Sequence, residues 1–254
     1  MVSVTLNKVR GEFARAGLRG VVTATLARPG RWVRAYRELG AHRSFDHSAA
    51  LVAYTRALAS GWFDPFQLDT EICALLDRVR FLQPKVVLEI GTANGGTLFM
   101  FTRVAAEDAV LISIDLPGGA FGGGYPRWRA PLYRRFALPR QSLYLLRGDS
   151  HSQAIISALK QLLNGRSIDL LFIDGDHTYA GVRSDHEVLS PLVRHGGLVA
   201  LHDIHPIADG VTEVPRYWCE LRHAVGGVEV IADADQQGSG IGLYEVGARV
   251  CSSP

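Results

Sequence analysis

The 254-residue chain is expected to fold as an α/β protein built on a doubly wound, mostly parallel sheet with a C-terminal antiparallel hairpin and an N-terminal helical extension. Three observations lead there. Short apolar runs alternate with helical patterns along most of the chain. The runs are continuous rather than alternating, as in strands covered on both faces. Nearly every run ends in a carboxylate, at the sheet edge where such folds place their ligands.

At this length one full-sized core can form. With 47% apolar and 20% charged residues, the balance is that of a globular chain rather than a disordered one. Residues 1–60 read as the helical extension, with a break at Pro29-Gly30, and residues 61–254 as the principal domain with an insert at 117–140. The formal net charge is only +2, so nothing in the overall charge favours a nucleic-acid partner. Its distribution is uneven: residues 1–45 hold Lys8 and eight arginines against Glu12 and Glu38, a net +7 that leaves −5 for the remainder. The extension reads as a helical cover with a solvated basic face and a possible subunit contact. Cys73, Cys219 and Cys251 are scattered and lack CxxC spacing, which argues against a disulfide framework or zinc site and fits a reducing cytoplasm. No apolar run approaches the roughly 20 residues of a membrane span, and the opening lacks the apolar stretch of a signal peptide.

The elements follow in order. "DTEICALLDRVRFL" (69–82) carries Ile72, Leu75, Leu76 and Val79 at helical spacing, with Asp69 or Thr70 as its N-cap. "KVVLEIG" is a strand, "NGGTLFMFTRVAA" a helix, "AVLISID" and "SLYLLRGD" strands, and "SQAIISALKQLLN" a helix. The strand "IDLLFIDGDH", the helix "YAGVRSDHEVLSPLV" and the strand "GLVALHD" continue the series. Residues 117–140, rich in Gly, Pro, aromatic residues and Arg, exceed an ordinary connection and read as a mobile loop on the substrate side. "GVEVIADADQQGSGIGLYEV" reads as two strands joined by a polar turn, the antiparallel end of the sheet.

The strand ends therefore bring together Glu89 to Gly91, Asp115, Gly148 to Ser150, Asp174 to His177, and His202-Asp203. One such acid is commonly a helix cap; five on one rim exceed what capping needs. In "VVLEIGTANGGT" (86–97), Gly91 and Gly95 permit a tight turn at a helix start. The turn is neither GxGxxG, since Ala93 occupies the second glycine position, nor a Walker motif, since it lacks the lysine. Glu89 just before it would repel a phosphate but could accept from an ammonium group, so a cationic or amine-bearing ligand is expected. Asp115, 24 residues beyond Gly91, stands where it could accept from both hydroxyls of a ribose, and Asp149 or Ser150 could meet an adenine amino group.

Together these positions resemble the S-adenosylmethionine site of Rossmann-like class I methyltransferases, a likeness running from about Gln67 to Val246. The stretch 170–203, a strand ending ID-x-x-H-x-Y, a helix and a "GG" strand ending in an acid, is similar to the small-molecule O-methyltransferases related to macrolide-sugar and cephalosporin-biosynthesis enzymes. The resemblance implies that Glu89, Gly91, Thr92 and Gly95 cradle the cofactor's methionine part, Asp115 its ribose, and Asp149 and Ser150 its adenine. It also implies a divalent cation, Mg2+, held by Asp174 and Asp203, with His202 in place of the usual third ligand. That substitution leaves a softer metal, or none, open.

His177 is the candidate general base, because a neutral imidazole accepts a hydroxyl proton near neutral pH; capping the next helix or orienting Asp174 are its other readings. Asp176 is a ligand or a cap, His151 and His205 are weaker candidates, and Arg183 and Asp185 read as a solvated helix face. Tyr125, Trp128, Arg129 and Tyr133 of the insert are expected to shape a pocket for a polar or aromatic small-molecule acceptor. The expected activity is thus methyl transfer from S-adenosylmethionine to a small-molecule hydroxyl. Transfer to nitrogen and a non-catalytic cofactor-binding module stand beside it, and the glycine pattern disfavours an NAD-dependent oxidoreductase.

Overall fold

The computed structural model describes residues 28–119, 121 and 124–248; most of the basic front segment and three positions of the insert lie outside that description. The chain divides into two compact units between residues 41 and 42. In the first, helix α1 (Arg28–Leu39) opens with Pro29 in its first turn, where a missing N–H is no loss, so the expected break is the helix start. Arg34 donates to Glu38 at 2.7 Å one turn on, and Trp32 stacks on Tyr36 with ring centroids 5.1 Å apart.

The second unit holds a seven-stranded sheet. Its strands are β1 (Val86–Ile90), β2 (Val110–Asp115), β3 (Ser142–Arg147), β4 (Ile168–Ile173), β5 (Val193–His202), β6 (Val228–Val230) and β7 (Ile241–Glu245). They lie in the order β3-β2-β1-β4-β5-β7-β6, parallel from β3 to β5 and antiparallel in the pairs β5–β7 and β7–β6. The doubly wound reading and its antiparallel end are borne out.

The helices are α2 (Ser48–Ala57), α3 (Asp69–Leu82), α4 (Gly96–Val104), α5 (Ala130–Arg134), α6 (Gln153–Leu163), α7 (Tyr179–Leu189) and α8 (Val214–Val225). All residues of β1 and β2 are buried, which explains their unbroken apolar character. On one face, Leu88, Ile112, Leu171 and Val199 form one core with Leu159 of α6, Val182 of α7 and Trp218 of α8. On the other, Phe172 of β4 meets Phe101 of α4 edge-on at 5.5 Å. Each such fully buried side chain contributes about 1.5–3 kcal/mol, far more than an exposed ion pair, so the apolar layers hold the sheet.

Three local expectations change. Helix α3 is capped at Leu68, not at Asp69 or Thr70, because Asp69 lies inside the first turn and pairs with Arg56 at 2.6 Å. Helix α8 is an addition to the predicted series: Pro215 in its first turn, buried Val214, Tyr217 and Trp218, and Gly226 as its left-handed C-cap form a legible start, face and stop. The second half of the insert is packed structure rather than a free loop. A 3-10 turn (Arg127–Arg129) leads into α5, where Leu132 is fully buried and the equally buried Tyr133 and Phe136 join Phe63 and Phe99 in an aromatic cluster. Its Arg-rich sequence conceals a three-residue apolar anchor.

Candidate active site

The carboxyl ends of β1, β2, β3 and β4 surround a cavity of about 240 Å³. Gly91, Asp115, Asp149, Ser150 and Asp174 line it, together with Phe121 from the insert. At Gly91 the backbone takes φ +90°, and a Cβ there would stand 1.9 Å from the carbonyl oxygen of Asp174. Only glycine fits where the ends of β1 and β4 converge. A smaller recess beyond the turn is lined by Thr92, Gly95, Thr97, Gln67 and Asp174. Six of the seven expected cofactor contacts thus stand on two adjoining walls.

The seventh, Glu89, is fully buried and lines neither space. One of its oxygens accepts from the Thr97 hydroxyl at 2.6 Å and the other has no partner. Burial, reinforced by Asp115 and Asp174 against the Thr97 hydrogen bond, pushes its pKa up to about 8, so the group is largely a neutral acid at pH 7. Asp115 is also buried; its Oδ2 accepts from the Tyr125 N–H at 3.2 Å, and burial lifts its pKa to about 6 against that bond and the nearby Arg147.

At the ends of β4 and β5 four ionisable groups meet. His177 places Nε2 3.6 Å from Asp174 and Nδ1 3.4 Å from Asp203. His202 places Nδ1 3.1 Å from Asp174 and 3.3 Å from Asp203. Burial alone would raise Asp174, but His202 and His177 outweigh it and hold the carboxyl below its ordinary range. Burial opposes protonation of both histidines, and the carboxylates overrule it and raise them. Ligand atoms of Asp174, His177 and Asp203 lie within 4.8 Å of one another, the spacing a bound cation needs. His202 is more deeply buried, with Nδ1 held between the two carboxylates and Nε2 unpartnered. Asp203 takes φ +60°, a strained conformation for a non-glycine residue at a strand end.

The supports of this cluster come from afar. The Gln67 amide donates to Asp174 Oδ2 at 2.7 Å, a contact that sequence reasoning missed. Gln67 is delivered by Arg56, which pairs with Asp64 and donates to the carbonyls of Pro65 and Gln67. Phe121 stacks on the His177 ring at 4.8 Å, and the His177 carbonyl accepts from the Glu213 N–H at 2.8 Å. Asp176 caps: its Oδ1 accepts from the Thr178 N–H at 2.9 Å, and Thr178 in turn caps α7.

Of the insert, Phe121 lines the cavity, whereas Tyr125, Trp128, Arg129 and Tyr133, expected to shape a pocket, do not. Tyr133 lies beneath the glycine turn and donates to the Ala93 carbonyl at 2.8 Å, while Tyr125 is buried beside Asp115. Arg129 bridges Asn94 and the Trp62 carbonyl, and Trp128 is half-exposed against Trp62 at 5.5 Å. His205 is half-buried beside the rim, and its backbone N–H donates to the Ser239 carbonyl. Arg183 is exposed and bonded to Glu187, as a solvated face requires, but Asp185 is only 1% exposed and pairs with His151 at 3.2 Å.

Residues 88–204, from β1 to the residue after Asp203, match the family model described as "Methyltransferase domain". The span is thus similar to methyltransferase domains. Among solved structures, the fold is similar to that of the O-methyltransferase from Bacillus cereus in complex with SAH, at 17% identity and TM-score 0.51, covering 81% of this chain and 93% of that one. It is also similar to that of the MycE methyltransferase from the mycinamycin biosynthetic pathway in complex with Mg and SAH, at 18% identity and TM-score 0.50, covering 80% of this chain and 55% of that one. A curated relative, the uncharacterized protein y4gI of Sinorhizobium fredii (strain NBRC 101917 / NGR234), is 30% identical over 146 residues. The match takes in 56% of this chain and only 16% of that protein's length. Among the described residues no helix is long and apolar enough to cross a membrane.

Proposed function

We propose that this domain transfers a methyl group from S-adenosylmethionine to a hydroxyl oxygen of a small-molecule acceptor. The observation that carries this reading is the cluster of Asp174, His177, His202 and Asp203 beside the Gly91 turn: paired acids and imidazoles where a proton must leave an acceptor. S-adenosylmethionine supplies an activated methyl group on a sulfonium. The cavity walls support this reading: Asp115 stands ready for ribose hydroxyls, and Asp149 and Ser150 for the adenine edge. At Gly91 any Cβ would collide with the Asp174 carbonyl, so glycine there lets the ends of β1 and β4 close together as one cavity wall.

The acceptor hydroxyl loses its proton as its oxygen bonds to the methyl carbon. His177 is the group placed to hold that proton, oriented by Asp174 and Asp203 on its two nitrogens and by Phe121 on its face. Asp174 is itself aimed by Gln67 and His202. Rate enhancement then comes mainly from holding the reacting atoms in line.

A second reading rests on the same residues. Asp174, Asp203 and an imidazole fit a divalent cation, which would lower the pKa of a bound hydroxyl. The convergent atoms favour His177 over His202 as the nitrogen ligand, with His202 steadying the carboxylates from behind. The Mg held by MycE and the O-methyltransferase name of the Bacillus cereus protein lend support to cation use and to oxygen as the target.

The test is calorimetry with S-adenosylmethionine, with and without Mg2+, followed by turnover of hydroxylated and amine acceptors by Asp174→Ala and His177→Ala variants. Retained cofactor binding with turnover down by about 100-fold or more is expected. Normal turnover in both variants overturns the assignment, and methylation of amines alone moves the target to nitrogen. Loss of activity on chelation selects the cation reading.

A further inference from the structure

Asp185 is the most conspicuous charged group that the proposed chemistry leaves unused. It lies on α7, 1% exposed, and neither carboxylate oxygen accepts a hydrogen bond of good geometry. Its compensation is the ion pair with His151, whose Nε2 stands 3.2 Å from Asp185 Oδ1 and 3.2 Å from the Gly181 carbonyl. His151 belongs to the loop that follows β3 and lines the main cavity beside Asp149 and Ser150. Its Nδ1 is 3.5 Å from Asp149 Oδ1, and its backbone N–H donates to the same oxygen at 2.9 Å. Asp185 itself stands just behind the cavity wall: a Cβ on Gly175, a lining residue, would come 3.8 Å from Asp185 Oδ2. Among the described residues, the hydrogen bonds and ion pairs between residues 148–152 and α7 are those of His151.

We infer that His151 is a positioning residue for cofactor binding, clamping loop 148–152 to α7 through the buried Asp185 carboxylate and so setting the cavity wall on its Asp149–Ser150 side. The inference rests on the reading that this cavity holds S-adenosylmethionine. A buried carboxylate left without a partner is strongly unfavourable, so the clamp resists opening. The Asp185 carboxylate 3.2 Å away, opposed by burial and helped by Asp149, raises the His151 pKa to about 9, so the ring is a cation at neutral pH. The ionisable groups that face it are Asp185 from α7 and Asp149 from its own loop. A rigid wall matters for this ligand class because sub-ångström displacement of a contact erodes binding and alignment.

The experiment uses the full chain with S-adenosylhomocysteine as the calorimetric probe, for the native protein, His151→Asn, Asp185→Asn, the double variant and His151→Lys. Hydrogen exchange of residues 148–152 is followed without ligand. Each single neutral variant is expected to bind about tenfold more weakly, with the double little worse than either, as residues acting as one unit do. His151→Lys, which keeps the cation, is expected to recover most of the affinity, and amides of the loop are expected to exchange faster in the neutral variants. A pair that merely stabilises the fold would lower the melting temperature of His151→Asn without changing affinity in the folded protein. Folded His151→Asn and Asp185→Asn chains that bind within twofold of the native protein overturn the inference. Should the native chain not bind the probe, the cofactor reading of the cavity and the positioning role fall together. Faster loop exchange in the variants would then still support the clamp, and unchanged exchange would remove it too.

Discussion

Replacing Gly91 by alanine puts the convergence of β1 and β4 to a quantitative test. The new Cβ would lie 1.9 Å from the Asp174 carbonyl oxygen and 2.5 Å from its carbon, against a limit near 3.0 Å that real Cβ atoms do not cross. Both obstacles are backbone, so no rotamer change relieves them, and the strand ends must part by about 1 Å, an overpacking that costs about 1–3 kcal/mol. The positive φ adds about 1 kcal/mol. Gly165→Ala supplies the internal control, because Gly165 has φ +79° and nothing within 4 Å of its Cβ position, leaving only the conformational part. The expected loss is about 2–4 kcal/mol for Gly91→Ala and about 1 kcal/mol for Gly165→Ala, read from urea unfolding midpoints at constant m-value. For a unit of this size the former corresponds to a melting temperature lower by roughly 5–15 °C. Calorimetry with S-adenosylhomocysteine on the folded variant should show affinity down by about tenfold or more, since the displaced carbonyl belongs to a cavity-lining residue. Equal unfolding midpoints for the two variants, with native affinity at Gly91→Ala, would refute the claim that close approach, rather than backbone freedom alone, demands glycine there.

Other consequences can be checked in the same preparations. His186, buried between the hydroxyls of Tyr217 and Tyr244 at 2.8 and 2.7 Å, has its pKa pushed by burial down to about 4 from 6.5. The unfolded chain therefore binds the extra proton first, and stability should fall as pH drops from 6.5 towards 4, by on the order of 2 kcal/mol; His186→Phe should flatten that slope in urea titrations. A slope unchanged in the variant would assign it to other groups. Asp115, with its pKa raised to about 6, works in the opposite sense: the folded state holds the proton more tightly between pH 3.8 and 6, so this group's contribution to stability declines as pH rises through that window. Affinity for S-adenosylhomocysteine should conversely increase towards pH 7 as Asp115 ionises, and Asp115→Asn should abolish that pH dependence along with most of the binding. Glu71, fully buried on α3, accepts from the Gly240 and Ala232 N–H groups and from Gln236. Glu71→Ala should expose the amides of residues 231–240 to rapid hydrogen exchange; full protection in the variant would show that the loop is held by other means.

The parts of this molecule that were legible in the sequence share a physical cause. Strands buried on both faces must be apolar throughout, so β1, β2, β4 and β5 announce themselves, and a carboxylate after an apolar run marks where the chain leaves the core. Contacts made across long stretches of chain leave no local mark. Gln67 reaches Asp174 across 107 positions because Arg56 shapes the loop carrying it, and no spacing rule encodes that. Asp185 is a different failure. The helical period places it with Val182, His186 and Leu189 on the buried stripe of α7, yet its charge and the neighbouring Arg183 suggested a solvated face. Periodicity was the sounder guide. In the insert, Leu132, Tyr133 and Phe136 carry the same lesson, hidden among arginines.

The antiparallel end of the sheet bears on how the protein is made. Strand β7 lies between β5 and β6, although it follows both in the chain. Until residues 241–245 have left the ribosome, β5 exposes an unpaired edge and β6 has no neighbour to hold it. Translation must therefore pass residue 245 before the sheet can close, and the half-built domain presents a sticky strand to its surroundings for that time. A stop codon just ahead of Ile241 would remove one strand from the polypeptide and two from the sheet.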